Sequence, residues 1–367
     1  MLPAIPAAFG NLKDVFRSAE ASVLGKTNAL HLNKVDSAIV IMVDGLGFEN
    51  LMQNAKSARF LSSIEQAAEV FCGFPSTTVV SLSSFATGLD SSKHGLFGYR
   101  IFDRVRQESV NLLSGVDKYS ILDYLMCESI SETSSLEVHA VTLADYENSG
   151  MTRATMNRAE HHFAESISER FEIAAGVAAE PNRLLYLYVP ELDQAAHRFG
   201  VNSDQWRNLL SELDIAVAKL VGSIGGNTGV VLTADHGIVD VAAENHIYLD
   251  LISELDDKVV DVGGDPRDTF VYLEAGVDCI KIASAMDDYC ANRARAFTPT
   301  QLVEAGLWQP DLLQQDDLLP DLVVIALAEV AIYHRAFARP NSLKMIGQHG
   351  ALTQAEIRVP LIRLGAY

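Results

Sequence analysis

A chain of 367 residues, 49% hydrophobic and 21% charged, can hold one large α/β domain with an insertion, or two domains. Its formal charge of −20 argues against a nucleic-acid backbone or an anionic membrane surface as partner. The same charge would repel a phosphorylated substrate unless bound cations reverse the sign locally.

Cys72, Cys127, Cys279 and Cys290 are scattered with no C-x-x-C pair, as expected of reduced thiols in a cytoplasm. Met1 to Glu20 hold no basic segment followed by an apolar run, so no signal peptide is expected. No run of about 18 apolar residues suggests a membrane span. The expected location is cytoplasmic.

In chain order, residues 1–36 read as a lead-in with one helix. Ser37 to Val43 (S-A-I-V-I-M-V) is a continuous branched apolar run, the mark of a strand buried on both faces, and it ends at Asp44-Gly45-Leu46-Gly47. Pro75 and the hydroxyls of Ser76, Thr77 and Thr78 mark a turn, and Val79 to Ala86 read as a buried helix. Segments 119–130 and 153–180 look helical, the second carrying His161 and His162 as surface residues. Glu137–Leu143 reads as a strand, and Leu184–Val189 is a second clear buried one, followed by Pro190-Glu191-Leu192-Asp193. Trp206 to Val221 has helical apolar spacing, and Gly229–Thr233 is a third buried strand running into Asp235-His236. Beyond Asp240 the runs become short and alternating. Residues 241–345, with a strand at Leu322–Ala326, are therefore expected to form an inserted cap subdomain on a core of 1–240 and 346–367, whose last strand lies near Val359–Leu364.

Three buried strands thus end at or just before Asp44, Asp193 and Asp235, and open α/β sheets gather ligands beyond such ends. Asp193 and His197 are four residues apart and share one face of a helix. His236 follows Asp235 directly, and glycines at 347 and 350 flank His349 closely. Carboxylates with imidazoles suit zinc, iron or manganese. A Thr at a helix start is either a cap or a nucleophile aimed at an anion.

The segments V-D-G-L-G at 43–47, F-P-S-T-T at 74–78, T-G-L at 87–89, H-G at 94–95, Y-V-P-E-L-D-Q-A-A-H-R-F-G at 188–200, T-A-D-H-G at 233–237 and G-Q-H-G at 347–350 together resemble the alkaline phosphatase superfamily, in its nucleotide pyrophosphatase/phosphodiesterase-like branch. The resemblance implies a three-layer α/β/α sandwich around a mostly parallel sheet. It implies two divalent metal ions, zinc first, one held by Asp193, His197 and His349. Asp44, Asp235, His236 and the Thr78 hydroxyl would hold the other. Thr78 rather than Thr77 is the implied nucleophile, because it stands nine residues before the Thr87 of T-G-L. A phosphothreonine intermediate follows. Where this branch carries an Asn three residues after the nucleophile, which helps hold a non-bridging oxygen, the chain has Ser81, a candidate substrate contact whose hydroxyl can donate with shorter reach. Tyr99 and Arg267 are further candidate substrate contacts, with packing and a solvated turn as their plainer readings.

The expected activity is hydrolysis of a phosphodiester or pyrophosphate bond in a small, nucleotide-like molecule. A phosphomonoester or phosphonate substrate is the alternative, and a non-catalytic ligand binder is the rival of another class. A homo-oligomer is left open.

Overall fold

The computed structural model describes residues 10–65, 67–113 and 120–367. In chain order its principal strands begin with β1 Gly10–Asn11, β2 Ser37–Val43, β3 Ala68–Phe71, β4 Glu137–Thr142 and β5 Glu160–Phe163. They continue with β6 Arg183–Val189, β7 Thr228–Ala234, β8 Val259–Asp265 and β9 Asp268–Leu273. The last are β10 Ala294–Phe297, β11 Leu322–Ala326 and β12 Arg358–Gly365. The main sheet has eight strands in the order β1-β3-β12-β7-β2-β6-β4-β5. All neighbours are parallel except β12, which runs antiparallel to both β3 and β7.

The three apolar runs are the centre of this sheet. Every residue of β2 and β7 is buried, as a strand covered on both faces requires. Register pairs Val43 with both Val189 and Ala234, so the carboxyl ends of β7, β2 and β6 lie level. That alignment is why their acidic residues meet on one rim.

The main helices are α1 Lys13–Val23, α2 Thr78–Thr87, α3 Ile167–Val177, α4 Glu191–Phe199, α5 Asp204–Ser223 and α6 Cys279–Cys290. Tyr186 presents its ring to Phe85 of α2 at 5.8 Å, and Phe85 meets Phe16 of α1 at 4.8 Å. Arg183, of opposite parity on the same strand, donates to Val177 O of α3. Side chains of opposite parity leave opposite faces, so α1 and α2 cover one face and α3 the other. The result is a three-layer sandwich. No helix among the described residues is long and apolar enough to cross a membrane.

Two helical expectations need correction. Segment 153–180 is not one helix: a short helix at Gly150–Thr155 precedes β5, which contains His161 and His162, and α3 starts only after Ser166. A capping box between Ser166 and Glu169 fixes that start, since it satisfies two otherwise unpaired amide groups. Segment 119–130 contains a 3-10 turn at Ile121–Asp123, and a short helix begins only at Ile130; residue 119 lies outside the described residues.

Strands β8 to β11 form a second, wholly antiparallel sheet in the order β8-β9-β11-β10. The chain enters and leaves this region through one short ladder, Val239 opposite Gln348 and Asp240 opposite Gly347. The small sheet shares the core of the large one. Phe270 of β9 stacks on Phe97 at 6.1 Å, and Trp308 meets Phe97 at 6.0 Å and Phe74 at 6.4 Å.

Arg267, expected at a substrate, instead bolts the two sheets together. It lies in the turn between β8 and β9, is fully buried, and is absent from the cavity described below. Its Nε and Nη2 donate to the Glu356 carboxylate at 2.7 and 2.8 Å, and Nη1 donates to Ala328 O and Val330 O. Glu356 sits just before β12, so this forked pair joins the second sheet to the last core strand. Removing one partner of such a pair leaves a bare buried charge. Glu356→Ala is therefore expected to lose about 3–5 kcal/mol of stability, with Arg267→Met plus Glu356→Leu recovering much of it. Denaturant titration checks this, and an unchanged midpoint for Glu356→Ala would contradict it.

Candidate active site

Asp44 continues β2, and its amide donates to Val189 O at 2.9 Å. The chain turns sharply at Gly45, whose φ is +72°. A Cβ there would come 2.6 Å from Ile238 Cδ1 and 3.0 Å from Asp193 Cβ, so glycine lets the two acidic segments touch. The Gly45 amide donates to Asp235 Oδ1 at 3.1 Å, and the His236 amide donates to the same oxygen at 3.0 Å. Asp193 and His197 stand one turn apart on α4, with Oδ2 and Nε2 3.2 Å apart.

Thr78 opens α2, with Thr77 at the cap position. The turn before it is strapped to the segment carrying His349. Ser76 N donates to Gly350 O at 3.2 Å, Ser76 Oγ to Ala351 O at 2.8 Å, and Gly350 N to Ser76 Oγ at 3.2 Å. The two threonines point to different partners. Thr78 Oγ1 lies 3.1 Å from His236 Nε2, whereas Thr77 stands near Asp265 and works against the burial of that carboxyl.

Two clusters result, Asp193/His197/His349 and Asp44/Asp235/His236, each with its ligand atoms within 4.8 Å of one another. The His236 and His349 rings stack at 3.8 Å and join them. Each imidazole has Nδ1 beside a backbone carbonyl: His197 to Gly347 O at 2.8 Å, His349 to Ser76 O at 3.0 Å, His236 to Gly237 O at 3.3 Å. A carbonyl only accepts, so Nδ1 carries the proton and donates. Nε2 is then the nitrogen each ring offers to a metal ion, which at His197 takes the place of the proton shared with Asp193.

The carboxylates fit the same purpose. Asp44 Oδ1, Asp193 Oδ1 and Asp235 Oδ2 are buried with no hydrogen-bond partner, although Tyr188 OH donates to the other oxygen of Asp44. Burial pushes Asp44 well above the usual carboxylate range, and the nearby Asp235 and Asp193 push it further. Burial raises Asp235 too, against the pull of His236. At Asp193 burial also opposes ionisation, but His197, His349 and His236 outweigh it and hold the carboxyl low. His197 is pushed up to about 9, because Asp193 outweighs its burial. Asp44 and Asp235, dry and crowded, are held ionised when positive charge enters among them. Each cluster offers the carboxylate and imidazole donors that divalent metal ions take.

Asp44, Thr78, Asp193, His197 and His349 line one cavity of about 740 Å3. Tyrosines 99, 146, 186, 188 and 333 form much of its wall, with Tyr186 stacked on Tyr188 at 5.8 Å. Tyr99 is among them, its OH accepting from Asn111 Nδ2 at 2.8 Å. Ser81 is not. It is fully buried and its Oγ donates to Cys72 O at 3.4 Å, so it does not take up the oxygen-holding place expected of it. His94 is packed away as well, against Ser84 Oγ at 3.0 Å.

Sequence reasoning passed over Asp265, a buried cavity residue with an unpaired Oδ2, whose carboxyl burial pushes up to about 6. Asp265 and Arg267 share the turn Gly263-Gly264-Asp265-Pro266-Arg267, and turn composition alone does not say which of the two faces the cavity. Sequence reasoning also missed Tyr186 and Tyr188 as cavity residues. Their i, i+2 spacing inside L-L-Y-L-Y-V was the available signal.

The family model described as type I phosphodiesterase / nucleotide pyrophosphatase matches residues 38–352. An uncharacterised pyrophosphatase/phosphodiesterase of Schizosaccharomyces pombe is 23% identical over 267 residues, 68% of this chain. The match spans about half (51%) of that curated relative's length. Among solved structures, murine ectonucleotide pyrophosphatase / phosphodiesterase 5 superposes with a TM-score of 0.69 at 16% identity, covering 88% of this chain and 87% of the other. The human counterpart gives 0.68 at 15% identity, with the same coverage of 88% and 87%. An inactive threonine-to-alanine variant of the murine protein, in complex with AMP, gives 0.67 at 15% identity, covering 90% and 88%. The chain belongs to the type I phosphodiesterase / nucleotide pyrophosphatase family of the alkaline phosphatase superfamily.

Proposed function

We propose that this chain hydrolyses a phosphodiester or pyrophosphate bond in a small, nucleotide-like molecule, with Thr78 Oγ1 as nucleophile and two divalent metal ions as cofactors. The observation that carries the proposal is the placement of Thr78 Oγ1, 3.1 Å from His236 Nε2, in a cavity wall it shares with Asp44, Asp193, His197 and His349. Family membership and the AMP complex of the murine relative support the substrate class.

Asp193, His197 and His349 would hold one ion; Asp44, Asp235, His236 and the Thr78 hydroxyl would hold the other. Bound zinc-class cations would lower the proton affinity of the Thr78 hydroxyl and neutralise charge on the phosphoryl oxygens. Thr78 Oγ1 then attacks phosphorus in line with the leaving oxygen, and the bond to that oxygen breaks. Water next attacks the phosphothreonine phosphorus, the Oγ1–P bond breaks, and the hydroxyl is restored. The first amides of α2 have no partners within the helix and can donate to the equatorial oxygens. The hydrogen bonds from Ser76 to Gly350 and Ala351 fix the turn that aims Thr78. The tyrosine wall gives the leaving group an amphipathic surface, apolar faces with polar tips.

Thr78→Ala is expected to keep both metals while turnover falls by on the order of a thousandfold. Mass spectrometry of acid-quenched wild type should find phosphate on the peptide containing Thr78. Full activity in Thr78→Ala, or phosphate on Thr77, would overturn the assignment. His349→Ala should lower the zinc content by one ion per chain, and unchanged stoichiometry by elemental analysis would break that ligand set. Ser81→Ala should leave kcat/KM within about threefold, because its hydroxyl faces Cys72 O; a large loss would return it to the site.

A further inference from the structure

A second group of imidazoles lies on the other face of the sheet from this chemistry. Strand β4 reads E-V-H at 137–139 and β5 reads E-H-H at 160–162. The strands are parallel, with His139 opposite Glu160 and Val141 opposite His162. Alternation therefore puts Glu137, His139, Glu160 and His162 on one face. Ala140 and Thr142, of the other parity, line the cavity. The cluster shares its face with Arg183, which reaches α3.

His139 Nδ1 and His162 Nε2 are 3.1 Å apart. Glu160 places its carboxylate oxygens 3.7 Å from the first and 3.8 Å from the second. Nitrogens at opposite corners of a tetrahedral zinc, with bonds of about 2.0–2.1 Å, lie about 3.3 Å apart. The imidazole pair is already near that spacing, and Glu160 is exposed enough to swing inward. His139 is 2% exposed, and its other nitrogen, Nε2, is buried without a hydrogen-bond partner. The carboxylate of Glu137 stands 4.0 Å from that Nε2 and is itself held by Arg183 Nε at 3.3 Å. A metal-binding imidazole commonly turns its remaining N–H toward such a carboxylate, which fixes the tautomer.

We propose that His139, Glu160 and His162 form a further divalent-metal site of the zinc class, separate from the catalytic pair, that pins edge strand β5 to β4. Two imidazoles and one carboxylate leave a fourth position for water. The ion ties down a strand of four residues that pairs with a single neighbour. A short edge strand held on one side only is easily frayed. A bound cation would also relieve the crowding of Glu137 and Glu160 around the imidazole pair.

The test uses the full-length, untagged chain, loaded with zinc, desalted and analysed for metal, in the wild type and in His162→Gln and Glu160→Gln. The catalytic ions are present in all three and cancel in the difference. His162→Gln should contain one zinc fewer per chain, and Glu160→Gln should lose the same ion at a lower chelator concentration than the wild type does. Thermal unfolding should show a zinc-dependent rise in Tm that is smaller in both variants, while turnover of a phosphodiester is unchanged. Equal zinc content and equal zinc-dependent Tm in all three proteins would overturn the site. Should His162→Gln fail to fold, the exposed Glu160→Gln gives the same two readouts. Loss of turnover in all three proteins would bear on the catalytic reading and leave the metal count standing.

Discussion

Three carboxylates brought together at the ends of adjacent strands, Asp44 and Asp235 buried and Asp193 nearly so, are the constraint on which the rest of this molecule depends. Asp44, Asp193 and Asp235 each keep one oxygen without a hydrogen-bond partner, which a protein interior rarely tolerates. Asp193 pairs with His197 at 3.2 Å, but Asp44 and Asp235 must share one imidazole. Tyr188 gives Asp44 one hydrogen bond, and His236 lies 3.5 Å from both Asp44 and Asp235. The level ends of β7, β2 and β6 create the crowding, and the histidines, with Nδ1 tied to carbonyls, aim their remaining nitrogens into it. Such an arrangement is costly for the fold alone and is balanced when cations bind.

Given that cluster, the second sheet has a clear structural task. It does not form a separate body: Phe270 and Trp308 share a core with Phe97, and Arg267 forks onto Glu356. Through Asp265 it lines the same cavity as Thr77 and Thr78, and through the ladder at 239–240 and 347–348 it flanks the segment carrying His349. The turn that carries Thr78 is thus fixed by the strap from Ser76 to Gly350 and Ala351. A hydroxyl held in this way has less freedom to lose on entering a transition state.

What was legible in the sequence followed from local rules. S-A-I-V-I-M-V, L-L-Y-L-Y-V and G-V-V-L-T declared themselves as buried strands because they are apolar at both parities, and residues just past their ends then fell on one rim. The Asp193–His197 pair needed only the helical repeat. Short β5 was hidden, since E-H-H-F has neither an apolar run nor clean alternation and tertiary pairing decides its state. Arg267 was misjudged for a related reason. A turn sequence gives no sign that its guanidinium will be enclosed by Glu356, 89 residues away. The geometry of Ser81 was equally invisible, because every residue of α2 is buried and spacing alone does not say which side faces the cavity.

The most direct test of the central claim compares bis-p-nitrophenyl phosphate with p-nitrophenyl phosphate, using chain stripped by chelator and chain reconstituted with zinc. The account predicts turnover only after zinc is restored, with the larger kcat/KM on the diester. Metal-independent turnover, preference for the monoester, or no turnover of either by zinc-loaded protein would contradict it.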